Sequence, residues 1–392
     1  MITINTVRTA ASMKIAVITP LPPETTGVAE FSERIYGSNK EFDVFWSTGG
    51  KAFDIGGFFS KALECKYDAI IFTLANSSHN FPTVDLLRRF AGFPGVHRKI
   101  FIHIHDPVLM NLARHVCEKE GKNVLRLYEK DRGLKEGSIG DIYQAFENFG
   151  FTGLSYLLAN INVNTVIVHS NAALELVKYD LGERVNKIPH FLKLFHPCFD
   201  PMTNIPMKKR EYDLGIFGVA DDGGKMTSKA VEVILKAYDR GLIKKAVLCG
   251  YNARSYAVEK DLTRFPFFEF IENPSHSDMF KVMSNTRVAI QPRLLNTGES
   301  SGVVPMLVGA HVHSIVSKVG AFKEYPDSLV KKVENRAFVS KSIEILPSLL
   351  NETVAGKSFE DYWRSHSSQK FIEGLLSHVQ KVSSRQDFLL AG

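Results

Sequence analysis

The chain has 392 residues, enough for two ordinary domains and too many for one comfortable core. With 44% hydrophobic and 23% charged residues its composition is globular, which excludes a disordered chain. The formal charge of +6 suits phosphate-bearing ligands or an anionic membrane surface; no long basic stripe accompanies it, so nucleic acid is not an expected partner.

The first residues, MITINTVRTAASMK, lack the apolar core of a secretory signal, and no uncharged apolar run reaches the ~18 residues of a membrane span. Buried parallel strands are expected at 14–19 (KIAVIT), 69–74 (AIIFTL), 99–104 (KIFIHI) and 165–169 (TVIVH), each short and rich in β-branched residues. Helical stretches at 28–35, 82–90 and 172–180 lie between them, an alternation that implies a doubly wound α/β sheet. The block 85–99 (DLLRRFAGFPGVHRK) gathers Arg88, Arg89, His97, Arg98 and Lys99 beside Phe90 and Phe93. Such a segment fits peripheral contact with a membrane interface or, equally, a solvated helix end.

Residues 190–210 carry three prolines and a basic cluster and read as an interdomain connection. A second α/β series follows, with strands expected at 213–217, 245–249, 267–271, 288–290 and 314–317 and helices at 229–240 and 277–284. The domains are therefore drawn at 1–205 and 206–357, with a helical segment at 358–392 that crosses back to the first. Ligands are expected in the cleft between the carboxyl ends of the two sets of strands. Cys65, Cys117, Cys198 and Cys249 form no C-x-x-C pair, which argues against a zinc site or a disulfide framework and for a reducing, cytoplasmic setting.

Four segments carry candidate chemistry. In 19–32 (TPLPPETTGVAEFS), Gly27 lets a backbone approach a phosphate at a helix start; the absence of G-x-G-x-x-G disfavours a nicotinamide dinucleotide. In His103-Ile104-His105-Asp106-Pro107, at a strand end, His105 is placed to bind a sugar hydroxyl and Asp106 to orient it, against the plainer reading of hydrogen-bonded structural residues. His103 and His105 share one strand face, but no third ligand at suitable spacing accompanies them, so no metal is expected. In 217–229 (FGVADDGGKMTSK), glycines with Lys225 and Lys229 make a diphosphate cradle or a flexible surface loop. The densest is 291–304 (QPRLLNTGESSGVV), with Arg293, Glu299, Ser300, Ser301 and Gly302; helix capping by the serines explains only part of it.

Taken in order, these segments resemble the family 4 retaining glycosyltransferases of GT-B fold, particularly bacterial members that build cell-envelope polysaccharides. The resemblance rests on Pro20-Leu21-Pro22-Pro23 with Gly27-Val28-Ala29-Glu30-Phe31-Ser32, on His105-Asp106, and on Val168-His169-Ser170 with Ile188-Pro189-His190. It continues through Arg293 with Gly298-Glu299-Ser300-Ser301-Gly302, and through 316–322 with Pro326-Asp327. Three departures stand out: Met306 and Leu307 where the family commonly has a second acidic residue, His311 and His313 where it has small ones, and Lys229 without the preceding Arg, for which Lys225 substitutes.

The resemblance implies two facing Rossmann-like domains and metal-independent transfer of a sugar from a nucleoside diphosphate to a hydroxyl of a glycan or lipid-linked glycan, with retention. No cofactor is implied beyond the nucleotide-sugar co-substrate. Lys229, Lys225 and Arg293 would neutralise the leaving diphosphate, and Glu299 with Ser300, Ser301 and Gly302 would hold the donor. Gly27 would close on the phosphate, with His105 and Asp106 positioning the sugar. The resemblance implies a cytoplasmic enzyme, at most peripheral at the inner face of the membrane. The rival readings are a nucleotide-sugar 2-epimerase, which shares the fold, and a non-catalytic nucleotide or glycan binder.

Overall fold

A computed structural model describes residues 13–24, 26–46, 52–64, 67–93, 95–203, 205–294, 297–351 and 356–390. Cys65 and most of the N-terminal segment lie outside them; Cys117, Cys198 and Cys249 are free and buried. The chain divides into two compact units. Unit 1 is Met1–Phe195 with Thr297–Glu299 and Phe371–Gly392; unit 2 is His196–Asn296 with Ser300–Lys370.

In unit 1 the strands are β1 (Ile15–Ile18), β2 (Phe42–Phe45), β3 (Ala69–Leu74), β4 (Ile100–Ile104), β5 (Thr165–Val168) and β6 (His190–Lys193). They form one parallel sheet in the order β2-β1-β3-β4-β5-β6. Every residue of β1, β3, β4 and β5 is buried, the signature of central parallel strands covered on both faces. The expected helices at 28–35, 82–90 and 172–180 are Gly27–Ser32, Phe81–Phe90 and Asn171–Leu181. The first is shorter than expected because its ladder widens into a π turn at Glu33–Gly37.

Two features correct the sequence reading. The stretch 190–210 is not connection throughout: its first four residues are β6, only half-buried at the sheet edge, so their pattern carries little apolar signal. Four helices, Met110–Lys119, Val124–Asp131, Ile142–Phe149 and the short Leu154–Leu157, fill the interval after β4. Glu129 pins the loop behind them, accepting hydrogen bonds from the N–H groups of Gly137 (2.9 Å) and Ile139 (2.7 Å). Those bonds, with Arg126 at 3.0 Å, hold its carboxyl down at about 2.

Unit 2 has β7 (Tyr212–Phe217), β8 (Ala246–Gly250), β9 (Phe268–Glu272), β10 (Thr286–Gln291), β11 (His313–Ser317) and β12 (Val330–Val333), parallel in the order β12-β11-β10-β7-β8-β9. Alternation splits its core between the two faces. Leu214, Ile216, Leu248, Val288 and Ile290 pack with the helices Thr227–Asp239 and Phe338–Asn351. Phe217, Val247, Cys249 and Ala289 pack with Met283, Met306 and Leu307. The C-terminal helix, Ser368–Leu390, leaves unit 2 at Lys370 and joins unit 1, as expected. There Phe371 packs edge-on to Phe31 at 5.5 Å, and His378 Nε2 lies 3.1 Å from Thr165 Oγ1. Among the described residues no helix is long and apolar enough to cross a membrane.

Among the described glycines the closest backbone approach is in unit 2, where Gly250 ends β8 at φ 155°. A Cβ there would lie 1.8 Å from the carbonyl oxygen of Gly218, which neither backbone can avoid. Gly250→Ala is therefore expected to cost roughly 3 kcal/mol or to prevent folding. Gly224→Ala, facing open space, serves as the control in denaturant unfolding, and equal stability of the two variants would refute the close-approach argument.

Candidate functional site

In a doubly wound parallel sheet the chain reverses direction of travel at a switch point, and the loops at the carboxyl ends of the two strands there open a crevice. In unit 2 that point lies between β7 and β10. The two richest segments of the sequence, 217–229 and 291–304, are the loops that leave these strands, and Leu294 N–H joins them by donating to Gly224 O at 3.0 Å.

Asn335, not singled out in the sequence, ties the two loops together. Its carbonyl oxygen accepts from Lys229 Nζ at 3.0 Å, and its Nδ2 donates to Arg293 O at 2.8 Å. The Arg293 guanidinium lies over the Phe322 ring at 5.6 Å, and its backbone N–H donates to Ser317 Oγ at 2.9 Å. Asn335 thus joins the Lys229 side chain to the Arg293 backbone, while the Arg293 guanidinium donates to Pro292 O at 3.1 Å.

The expected cradle in 217–229 is partly occupied by the loop itself. Asp221 Oδ1 accepts from the Lys225 N–H at 3.2 Å, and Asp222 Oδ1 accepts from the Ser228 N–H at 2.7 Å. Two backbone donors of this loop therefore already serve carboxylates, and the electrostatic work of this loop falls to the lysine side chains. Ser301 Oγ accepts from Val303 N–H at 3.2 Å, just ahead of the short helix Val303–Gly309, whose N-cap is Gly302. Met306 and Leu307 are buried in that helix, where a second acidic side chain would have to leave water. His311 and His313 are buried against Phe359, and burial pulls His311 below the usual imidazole range. Val219, Tyr251 and Leu294 are exposed just beyond β7, β8 and β10, with Tyr251 48% accessible.

Within unit 1, Gly27 opens the helix Gly27–Ser32, capped by Thr26 Oγ1, which accepts from Ala29 N–H at 3.1 Å. No atom lies within 4 Å of a Cβ added at Gly27, so the fold itself does not demand glycine there. Asp106 Oδ2 accepts from Asn76 N–H at 2.9 Å and fixes the loop after β3. Glu299 is exposed and belongs with unit 1, unlike Arg293 and Ser300. Beside it Gly298 sits at φ 72°, and Gly298 O accepts from Ser170 Oγ at 2.8 Å.

The strongest constellation in unit 1 is one the sequence showed only in part. β4 and β5 run parallel with His103 opposite Ile167. A step of two residues along each strand keeps the face, so His103, His105 and His169 converge. All three are buried, and one nitrogen of each lies within 4.8 Å of the others. His103 Nε2 is 3.1 Å and His105 Nδ1 3.4 Å from His169 Nε2. Tyr36 Oη lies 2.8 Å from His103 Nδ1, and His169 Nδ1 lies 2.8 Å from Leu194 O. Phe31 packs against all three rings, most closely His105 at 4.6 Å.

The carbonyl of Leu194 only accepts, so His169 Nδ1 carries a proton and, in a neutral ring, Nε2 is left as acceptor. Burial keeps that ring neutral by pulling His169 down to about 4. His103 then donates from Nε2 and accepts from Tyr36 O–H at Nδ1, which assigns every tautomer of the chain. The third histidine escaped sequence reading because it lies 66 residues from His103. The signal that could have found it was a second buried strand, TVIVH, with histidine at the matching end.

No protein-family model matches the sequence, and no curated protein matches it. Solved structures do match. HepE of Anabaena, in complex with UDP, superposes with a TM-score of 0.61 over 94% of this chain and 100% of that one, at 12% identity. WaaG, a glycosyltransferase involved in lipopolysaccharide biosynthesis, gives 0.57 over 93% and 99%, at 12%. The E. coli trehalose-6-phosphate protein bound with UDP-2-fluoro glucose gives 0.58 over 94% and 99%, at 11%. The chain spans only 60% of the matching chain in the GtfA/B complex. At these identities the likeness establishes the fold, which is that of the GT-B glycosyltransferases: two parallel six-stranded sheets with their helices.

Gly27→Ala is expected to leave stability unchanged or raise it by up to ~1 kcal/mol, since the added methyl meets nothing and restricts the unfolded chain. Urea unfolding measures this; a loss above ~1 kcal/mol would mean the glycine serves the fold rather than a ligand.

Proposed function

We propose that the chain is a retaining glycosyltransferase of family 4 type. It moves a sugar, of the hexose class, from a nucleoside diphosphate to a hydroxyl of a glycan or lipid-linked glycan. The observation that carries this reading is that Asn335 holds the Lys229 ammonium and the backbone of Arg293 side by side at the unit 2 switch point. Fixed cations at that position suit a diphosphate leaving group, whose developing charge is the main electrostatic demand of the reaction. The exposed Tyr251 beyond β8 offers a ring face for a nucleobase. The neighbours HepE and the E. coli protein hold UDP and a UDP-sugar, which supports a nucleotide-sugar donor.

In this reading Lys229, Lys225 and Arg293 neutralise the diphosphate without a metal ion. Glu299, with the backbone of Ser300, Ser301 and Gly302, holds the donor. Gly27 admits the phosphate to the unit 1 backbone. His105 accepts a sugar hydroxyl, its ring turned by His169, while Asp106 shapes the neighbouring loop. The work is cytoplasmic polysaccharide assembly. Phe93, 53% exposed beside the basic residues of 85–99, is the contact with an anionic membrane face.

A thermal-shift screen of nucleoside diphosphates and their sugars tests the donor site. A ligand at about one hundred times its Kd stabilises by about 2.7 kcal/mol, and one base is expected to shift melting equally with and without EDTA. A flat screen would overturn the donor-site reading. With the identified donor, Glu299→Ala is expected to lower turnover about 100-fold, the scale of losing a transition-state contact. A near-wild-type rate would remove Glu299 from the machinery, and isomerised donor without acceptor would replace the transferase by an epimerase.

A further inference from the structure

The three buried histidines of unit 1 do more than the sugar-positioning role asks of them: only His105 is needed for that, yet His103 and His169 sit deeper in the sheet with their nitrogens turned toward one another. Three imidazoles on one sheet face, from a His-x-His strand end and its parallel neighbour, have the composition of a transition-metal site. Zinc bonds of about 2.0–2.1 Å in a tetrahedron put donor nitrogens about 3.3–3.4 Å apart. The separations of 3.1 Å from His103 Nε2 to His169 Nε2 and 3.4 Å from His105 Nδ1 to His169 Nε2 are of that size.

The outer groups fit as well. A metal-bound imidazole is held through its other nitrogen by a carbonyl, carboxylate or hydroxyl partner. His169 Nδ1 has Leu194 O, and His103 Nδ1 has Tyr36 Oη, both at 2.8 Å. Phe31 and Phe371 flank the cluster and fix the ring planes.

We propose that His103 Nε2, His105 Nδ1 and His169 Nε2 form a three-histidine site for a divalent transition metal of the zinc class. The cluster holds three histidines and no carboxylate, so a bound ion keeps a fourth position for hydroxide or an anionic oxygen. That position lies on the His105 side: His105 is 9% accessible at the strand end, against 0% for His103 and 3% for His169.

Loading needs no net loss of protons. The His103 proton moves from Nε2 to Nδ1, where Tyr36 Oη turns to accept it. His105 binds through Nδ1 as its Nε2–H tautomer, and His169 already offers Nε2. This site is independent of the diphosphate-binding reading, and its test reads metal, not sugar transfer.

Tag-free protein is stripped with chelator and titrated with Co2+ as a spectroscopic stand-in for Zn2+, then dialysed and its metal counted. The expected result is one equivalent retained, the intense visible bands of tetrahedral cobalt, and their displacement by Zn2+. His105→Asn, at the strand end, and His103→Asn should each reduce retention at least tenfold. X-ray absorption of the zinc-loaded wild type, which needs no variant to fold, should show three imidazoles in the shell. Retention below a tenth of an equivalent, retention unchanged in both variants, or a shell without three imidazoles would each overturn the site.

Discussion

A strand buried on both faces has no room for chemistry along its length. Its neighbours are helices above and below, and any polar side chain there must be satisfied by another buried group. Function is therefore pushed to the carboxyl ends, where the chain turns out of the sheet. Both units obey this constraint. In unit 2 the two loops at the β7–β10 switch point carry the basic residues, and in unit 1 the ends of β4 and β5 carry the histidines.

His103 is the instructive exception, since it lies within β4 at 0% exposure. It is tolerated because the chain from Tyr36 through His103 and His169 to Leu194 O satisfies every nitrogen facing into it. A fully satisfied polar network in a low-dielectric interior is rigid, whereas one missing partner would be costly. The same arrangement that fixes the tautomers also gathers one nitrogen from each of three histidines within 4.8 Å.

Unit 2 shows a different compromise. Its loop 221–228 stabilises itself with Asp221 and Asp222, which take backbone donors at the start of the helix Thr227–Asp239. The order this imparts is local. Positive charge for an external anion is supplied by side chains, and Asn335, from a third loop, is what joins the Lys229 side chain to the Arg293 backbone.

The doubly wound class, nine of the strands and the broad order of the helices were legible from residue type alone, because short β-branched runs between amphipathic stretches admit few other solutions. The edge strands β2, β6 and β12 were not; β6 is half-buried throughout and carries a weak apolar signal. The segments holding Gly27, His105, Lys229 and Arg293 were visible as strand-to-helix loops rich in polar types. Their partners were decided only by tertiary structure: Asn335 lies 106 residues from Lys229, and His169 lies 66 from His103. Local sequence determines which strands form and what each loop end offers. Parallel pairing, which joins strands distant in the chain at a register no local pattern encodes, decides which of those offers meet.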